Sequence, residues 1–184
     1  MAKLSIELPV RTDQTKFNVQ RWTELIADDE LGRQLENIPG RIETDRHGYI
    51  IMQPPPGYSH GGYQFEIGSL LKDLLPHGRV STESPVSTAD GVKGIDVTWI
   101  SRTRLEAIGE KECLTQAPEI CVEVLSPSNT QREMAEKKTL LFAAAAREVW
   151  FCDGTGRMTF YTSPGSRGQK SSKLCPNFPR LVRL

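Results

Sequence analysis

Long apolar runs are missing from this 184-residue chain, and nothing in it approaches the roughly 20 consecutive apolar residues of a membrane span. The opening residues MAKLSIELPVRTDQ hold no hydrophobic stretch of signal-peptide length, so a cytoplasmic protein with no membrane partner is expected. Cysteine is sparse and scattered. Cys113, Cys121, Cys152 and Cys175 include no close pair at zinc-ligand spacing and no disulfide pattern, which leaves reduced thiols as the expectation. Excess charge of either sign is absent too. With 23 basic and 23 acidic residues, the chain is not one that coats polyanions by bulk charge, and any contact with nucleic acid must be local. Internal repeats and long low-complexity segments are also lacking.

What is present fits one soluble unit. A hydrophobic fraction of 38% with 25% charged residues is ordinary for a globular protein, and the length suits a single domain. Within residues 1–184 the expected organisation is a polar arm and short helix over 1–29, a core over 40–153 and a basic segment over 154–184. The last of these has no acidic residue after Asp153, while Arg157, Arg167, Lys170, Lys173, Arg180 and Arg183 all fall there. Such a tail could track phosphates, or it could be a solvated surface segment rich in glycine and serine.

The pattern of elements predicts an α/β fold. A short helix is expected around Val19 to Ile26. The stretch PGRIETDRHGYIIMQPPPG alternates polar and apolar residues on both sides of a turn at Asp45 to Gly48, which marks a β-hairpin stopped by Pro54, Pro55 and Pro56. Tyr63, Ile67, Leu70, Leu71 and Leu74 recur at helical spacing, so an amphipathic helix runs from about His60 to Leu75. Strands follow at about Arg79 to Val86, Val92 to Ile100 and Glu119 to Leu125. A longer helix spans about Thr130 to Ala146, with Thr130 and Glu133 spaced as a capping box. Strands at Glu148 to Cys152 and Met158 to Tyr161 complete a mixed sheet covered by helices.

Two carboxylates interrupt the apolar strands. Asp96 lies in GIDVTWI and Glu123 in PEICVEVLSPS, where an unpaired buried charge would be expensive. Strand alternation puts Ile95, Val97 and Trp99 on one face and Asp96 on the other, and it separates Glu123 in the same way from Ile120, Val122 and Val124. If the two strands are neighbours, the acids lie side by side and repel unless a cation sits between them. Hard oxygen ligands favour Mg²⁺ or Mn²⁺.

The stretches GIDVTWIS, APEICVEVLSPSN and EKKTLLFAAAAREVWFCD, with RIETDRHGYIIMQPPP and His60 upstream, closely resemble the PD-(D/E)XK nuclease superfamily. The resemblance is to its bacterial branch described as putative restriction endonucleases, and it spans roughly Arg41 to Asp153. It implies a restriction-endonuclease-like core, a central mixed β-sheet flanked by helices, extended by the N-terminal β-hairpin. Asp96 matches the aspartate of the PD motif, with Ile95 in place of the proline, and Glu123 matches the acid of (D/E)XK. Leu125 stands where the lysine is expected, and Lys137 on the following helix matches the family's helix lysine. Lys138 is the competing candidate. Glu43 matches a hairpin glutamate that would add a metal ligand or hold a ligand water, although from this sequence it could equally be an exposed hairpin carboxylate. Glu66 ranks below it, and His60 is expected to hydrogen-bond and cap.

The implied activity is Mg²⁺-dependent hydrolysis of DNA phosphodiester bonds by an endonuclease, with Asp96, Glu123 and Glu43 at the metal and Lys137 beside them. Cutting both strands with one site per chain would call for a homodimer. The alternative is a catalytically impaired module of the same fold that binds DNA or protein, which Leu125 favours. A hydrolase of small phosphoesters would instead show a closed pocket.

Overall fold

The structure is a computed structural model and describes residues 13–36 and 41–184. The expected polar arm before Asp13 and the start of the hairpin at Pro39 and Gly40 lie outside the described residues. Helix α1 (Gln14–Ala27) begins five residues earlier than its apolar stripe suggested, because Asp13 caps it by accepting the Lys16 amide at 2.9 Å. Asn18, buried on α1, donates to Ser87 Oγ and the Thr88 carbonyl and ties the helix to the sheet. Helix α2 (Asp29–Glu36), absent from the sequence reading, follows.

Strands β1 (Arg41–Thr44) and β2 (Ile50–Gln53) form the expected hairpin as a separate two-stranded sheet. Helix α3 (Tyr58–Leu74) then leads into β3 (Gly78–Thr88) and β4 (Gly91–Ser101), a long antiparallel pair. The short helix α4 (Arg102–Ile108) was not anticipated, although Ser101 at its start and Gly109 at its end are ordinary cap residues. Next come β5 (Ile120–Val124), α5 (Gln131–Ala143), β6 (Glu148–Cys152) and β7 (Met158–Tyr161). The main sheet runs β3-β4-β5-β6-β7, with the β5–β6 pair parallel and the others antiparallel. This is the expected mixed sheet between helices.

The two faces of the sheet are covered by different helices. On one, Ile67 and Leu71 of α3 pack with Val97, Ile120, Val122 and Trp150. On the other, Leu141 of α5 packs with Ile95, Cys121 and Val149. A third cluster joins Trp22 of α1 to Val92 and Cys113. The four cysteines are free and buried, and burial pushes the Cys113 and Cys152 thiols up to about 12.

Three expectations change on contact with the structure. Ile95 does not share a face with Val97 and Trp99, because the β3–β4 ladder breaks at Glu83, whose left-handed φ of 49° locally reorients the strand pair. Helix α5 ends at Ala143 rather than Ala146. Ala145 takes a left-handed φ of 79° there, and the Ala145 and Ala146 amides bond back to the Phe142 and Leu141 carbonyls. The C-terminal segment is not a simple solvated surface. Cys175, Phe178 and Val182 are buried in the α3-side core, beside Trp150 and Phe160. Fully buried Glu148 clamps this segment, accepting from Ser172 Oγ and the Lys173 and Leu174 amides, and from Trp150 Nε1 in its own strand.

The β1–β2 hairpin sits against β4 at close quarters. Thr44 accepts the Val92 amide through Oγ1 and the Lys93 ammonium through its carbonyl. Gly91, at φ 85°, leaves no room for a side chain, since a Cβ there would collide with the carbonyl oxygens of Thr44 and Asp45. Gly91→Ala is therefore expected to destabilise the fold by about 2 kcal/mol, combining left-handed strain with displacement of the hairpin. Urea denaturation measures the loss. An unchanged midpoint would show that the hairpin is not seated this tightly.

Candidate active site

β4 and β5 pair only over Val97–Trp99 opposite Ile120–Val122 and then part. Extending that register sets Asp96 opposite Glu123, so both acids stand at the point where the strands separate. Parting frees the Val124 amide from β4, and Asp96 Oδ2 accepts it at 2.7 Å. The same oxygen lies 3.3 Å from His60 Nε2, at the start of α3. Asp96 Oδ1 accepts from Arg41 Nη1 at 2.6 Å and from Gln64 Nε2 at 3.3 Å. Burial by itself would raise the Asp96 pKa, but the His60 hydrogen bond and the Arg41 charge outweigh it and hold the group down at about 2. His60 is raised in turn, chiefly through its hydrogen bond to Asp96.

Glu123 is satisfied on one side only. Its Oε2 accepts from Lys137 Nζ at 2.9 Å, while Oε1 is buried without a hydrogen-bond partner. Burial pushes this carboxyl up to about 8 against the pull of Lys137. Lys137 sits on α5 between Met134 and Leu141, the buried residues of that helix, so its ammonium is directed into the protein. It also donates to the Gly94 carbonyl at 2.9 Å and approaches Glu43 Oε1 at 3.4 Å. Burial alone would lower its pKa, and the charges of Glu123 and Glu43 reverse the shift.

Glu43 comes from the hairpin, not from solvent. It is buried, accepts the Gly94 amide at 3.1 Å through Oε1, and has Gln53 Nε2 at 3.5 Å from Oε2. Arg41, two residues earlier on β1, faces the same way and bridges Asp96 to Glu83, 2.8 Å from Glu83 Oε2. Glu43, Asp96, Glu123 and Lys137 thus line one cavity of about 660 Å³, with Arg41 and His60. Its mouth is formed by Pro54–Gly57 and Ser126–Asn129, mostly exposed loop residues.

Other candidates fall elsewhere. Glu66, Lys138, His47 and His77 do not line the cavity, and Lys138 lies 4.2 Å over the Tyr161 ring instead. Arg41, Gln64 and Glu83 were missed by the sequence reading. The one available signal was the placement of Arg41 two residues before Glu43, which gives them a common strand face.

Whether a divalent cation fits can be judged from the donors. Among the described residues no three Asp, Glu, His or Cys side chains are grouped closely enough to ligate one ion, because Lys137 and Arg41 stand between the acids. Glu43 in particular is engaged by the Gly94 amide and Lys137. Two observations nevertheless suit the ion. Among the described residues the buried polar side-chain atoms without partners, Glu123 Oε1 and His60 Nδ1, both belong to residues of this cavity. The carboxylates of Glu43, Asp96 and Glu123 also line the same cavity, a set of hard oxygen donors. Mg²⁺ needs only one or two protein carboxylates when water and substrate phosphate supply the rest. Asp96 and Glu123 fit that role.

Among solved structures, a putative nuclease from Anabaena variabilis aligns with a TM-score of 0.59 at 20% identity, covering 74% of this chain and 81% of that one. It shares the fold. No curated protein matches the chain. A family profile, Uma2, described as putative restriction endonuclease, matches residues 28–180, which takes in both strand acids, the hairpin, Lys137 and most of the C-terminal segment. The chain belongs to the Uma2 family of putative restriction endonucleases.

Proposed function

We propose that the chain is a Mg²⁺- or Mn²⁺-dependent endonuclease that hydrolyses phosphodiester bonds in DNA. The observation that supports it best is the position of the Lys137 ammonium, 2.9 Å from Glu123 Oε2 at the fork that also holds Asp96. Leu125, just past β5, stands where a strand lysine is expected, and on this reading Lys137 takes that part from α5. Asp96 and Glu123 would hold the ion, whose chemistry when bound is to polarise the phosphate and lower the pKa of a bound water.

The chain's own groups then have separable tasks. Arg41 and the His60 hydrogen bond keep Asp96 ionised. Glu43 and the Gly94 carbonyl fix the Lys137 ammonium, which stabilises negative charge building on the phosphoryl oxygens. The exposed loops at the mouth leave the cavity accessible to a polymer rather than closing over a small phosphoester. A single site per chain makes a homodimer on duplex DNA part of this reading.

Plasmid nicking with Mg²⁺ or Mn²⁺ tests it. Asp96→Asn and Glu123→Gln are each expected to lower the rate at least ~10²-fold, and EDTA to abolish it. Equal cleavage by native and substituted chains would mean a contaminant and remove the assignment. A second reading, a DNA- or protein-binding module with an impaired site, is favoured by one observation: both oxygens of Asp96 already accept two donors each. Retained DNA binding without metal-dependent cutting would establish that reading instead.

The assignment of the lysine has its own check. Lys137→Met is expected to lower the nicking rate ~10²-fold, whereas Lys138→Met should stay within about twofold of the native chain, since its ammonium only covers Tyr161. The reverse order would move the role to Lys138.

A further inference from the structure

We propose that Arg41 is a displaceable counter-ion of Asp96 that couples cation binding to phosphate binding, an inference that rests on the nuclease reading above. Asp96 lines the shared cavity, and the shortest contact of its Oδ1 is to Arg41 Nη1 at 2.6 Å. The other Asp96 oxygen is held by His60 and by the Val124 backbone amide, which cannot leave without disturbing β5. A divalent cation that uses Asp96 must therefore take Oδ1. Arg41 is the charged group it displaces from that oxygen, beside the longer contact of Gln64 Nε2 at 3.3 Å.

Arg41 is built to move a short way and remain charged beside the site. Its Nη1 is shared between Asp96 and Glu83 Oε2, and among the described residues its hydrogen bonds run through that nitrogen alone. Glu83 is the more exposed partner, with 42% of its side chain accessible against 1% for Asp96. It occupies the break in the β3–β4 ladder, and Gln64 holds its other oxygen. Released from Asp96, the guanidinium stays tethered at Glu83 while Nε and Nη2 remain as an unused pair of donors. That planar edge matches a phosphate, which accepts two parallel N–H bonds. With the cation on Asp96, Arg41 binds a phosphodiester oxygen of the substrate; without it, Arg41 neutralises Asp96 and leaves the phosphate unbound.

Binding measurements test this without reference to turnover. Ca²⁺, a hard oxygen-seeking cation, is titrated by calorimetry into the native chain, Arg41→Ala and Arg41→Lys. A labelled duplex is followed by fluorescence anisotropy with Ca²⁺ or with EDTA. In the native chain Ca²⁺ should tighten DNA binding about tenfold, the reciprocal of a coupling between two sites. Arg41→Ala should bind Ca²⁺ about fivefold or more tightly, and its DNA affinity should no longer respond to Ca²⁺. Arg41→Lys, which keeps the charge and guards against misfolding of the alanine variant, should bind Ca²⁺ like the native chain yet lose most of the coupling.

Weaker or unchanged Ca²⁺ binding by Arg41→Ala overturns the counter-ion. Ca²⁺-enhanced DNA binding that survives in both variants overturns the phosphate contact. The nuclease reading fails separately, on the absence of metal-dependent plasmid nicking by the native chain; a native chain that binds no DNA with either Ca²⁺ or EDTA overturns this inference as well.

Discussion

Everything at the centre of this protein depends on burying carboxylates beside two cations. Asp96 and Glu123 stand where β4 and β5 separate, and the separation itself creates both the space and the free Val124 amide. Acids in such a place would be strongly destabilising alone. Lys137 from α5 and Arg41 from the hairpin make them tolerable, and each cation is in turn held by a further acid, Glu43 or Glu83. The result is an alternation of acidic and basic side chains drawn from five elements. An apolar residue in place of Lys137 would leave Glu123 unpaired in the interior, whereas Asp96 without Arg41 would keep the Val124 amide, His60 and Gln64.

The scaffold explains why such distant parts of the chain meet. The hairpin lies across β4, seated by Gly91 and by the Glu43 bond to the Gly94 amide. Gly94 also lends its carbonyl to Lys137, so one backbone unit of β4 fixes both the hairpin acid and the helix lysine. Helix α5 keeps that lysine aimed inward by burying Met134 and Leu141 on either side of it. Far from the cavity, Glu148 fastens the C-terminal segment onto the same sheet and covers Trp150. The functional geometry is thus a property of the whole sheet and its covers rather than of one loop.

Much of this was legible in the sequence because the signals were local. Periodicity located α3 and the strands, Thr130 and Glu133 form the capping box their spacing implied, and the two strand acids stood out as charges among apolar residues. The inward placement of Lys137 was also legible, as a charge set into an apolar helix face. What escaped had causes outside any local window. The strand break at Glu83 flips Ile95 to the other face, and no residue near it in sequence announces a left-handed φ. Arg41 reads as an ordinary hairpin residue until β4 is placed beside it. The basic, glycine-containing C-terminal segment gave no periodic pattern, since it packs by isolated anchors such as Phe178 and Val182 rather than as an element.

The placement of the four thiols gives the molecule an internal reporter. Cys113 belongs to the layer under α1, Cys121 to the layer under α5, and Cys152 and Cys175 to the layer under α3. Each is shut away from water and disfavoured as a thiolate. An alkylating reagent can therefore reach a given sulfur only when its own layer loosens. The order in which the four sulfurs react would rank the three layers by how readily each gives way, with no probe introduced from outside.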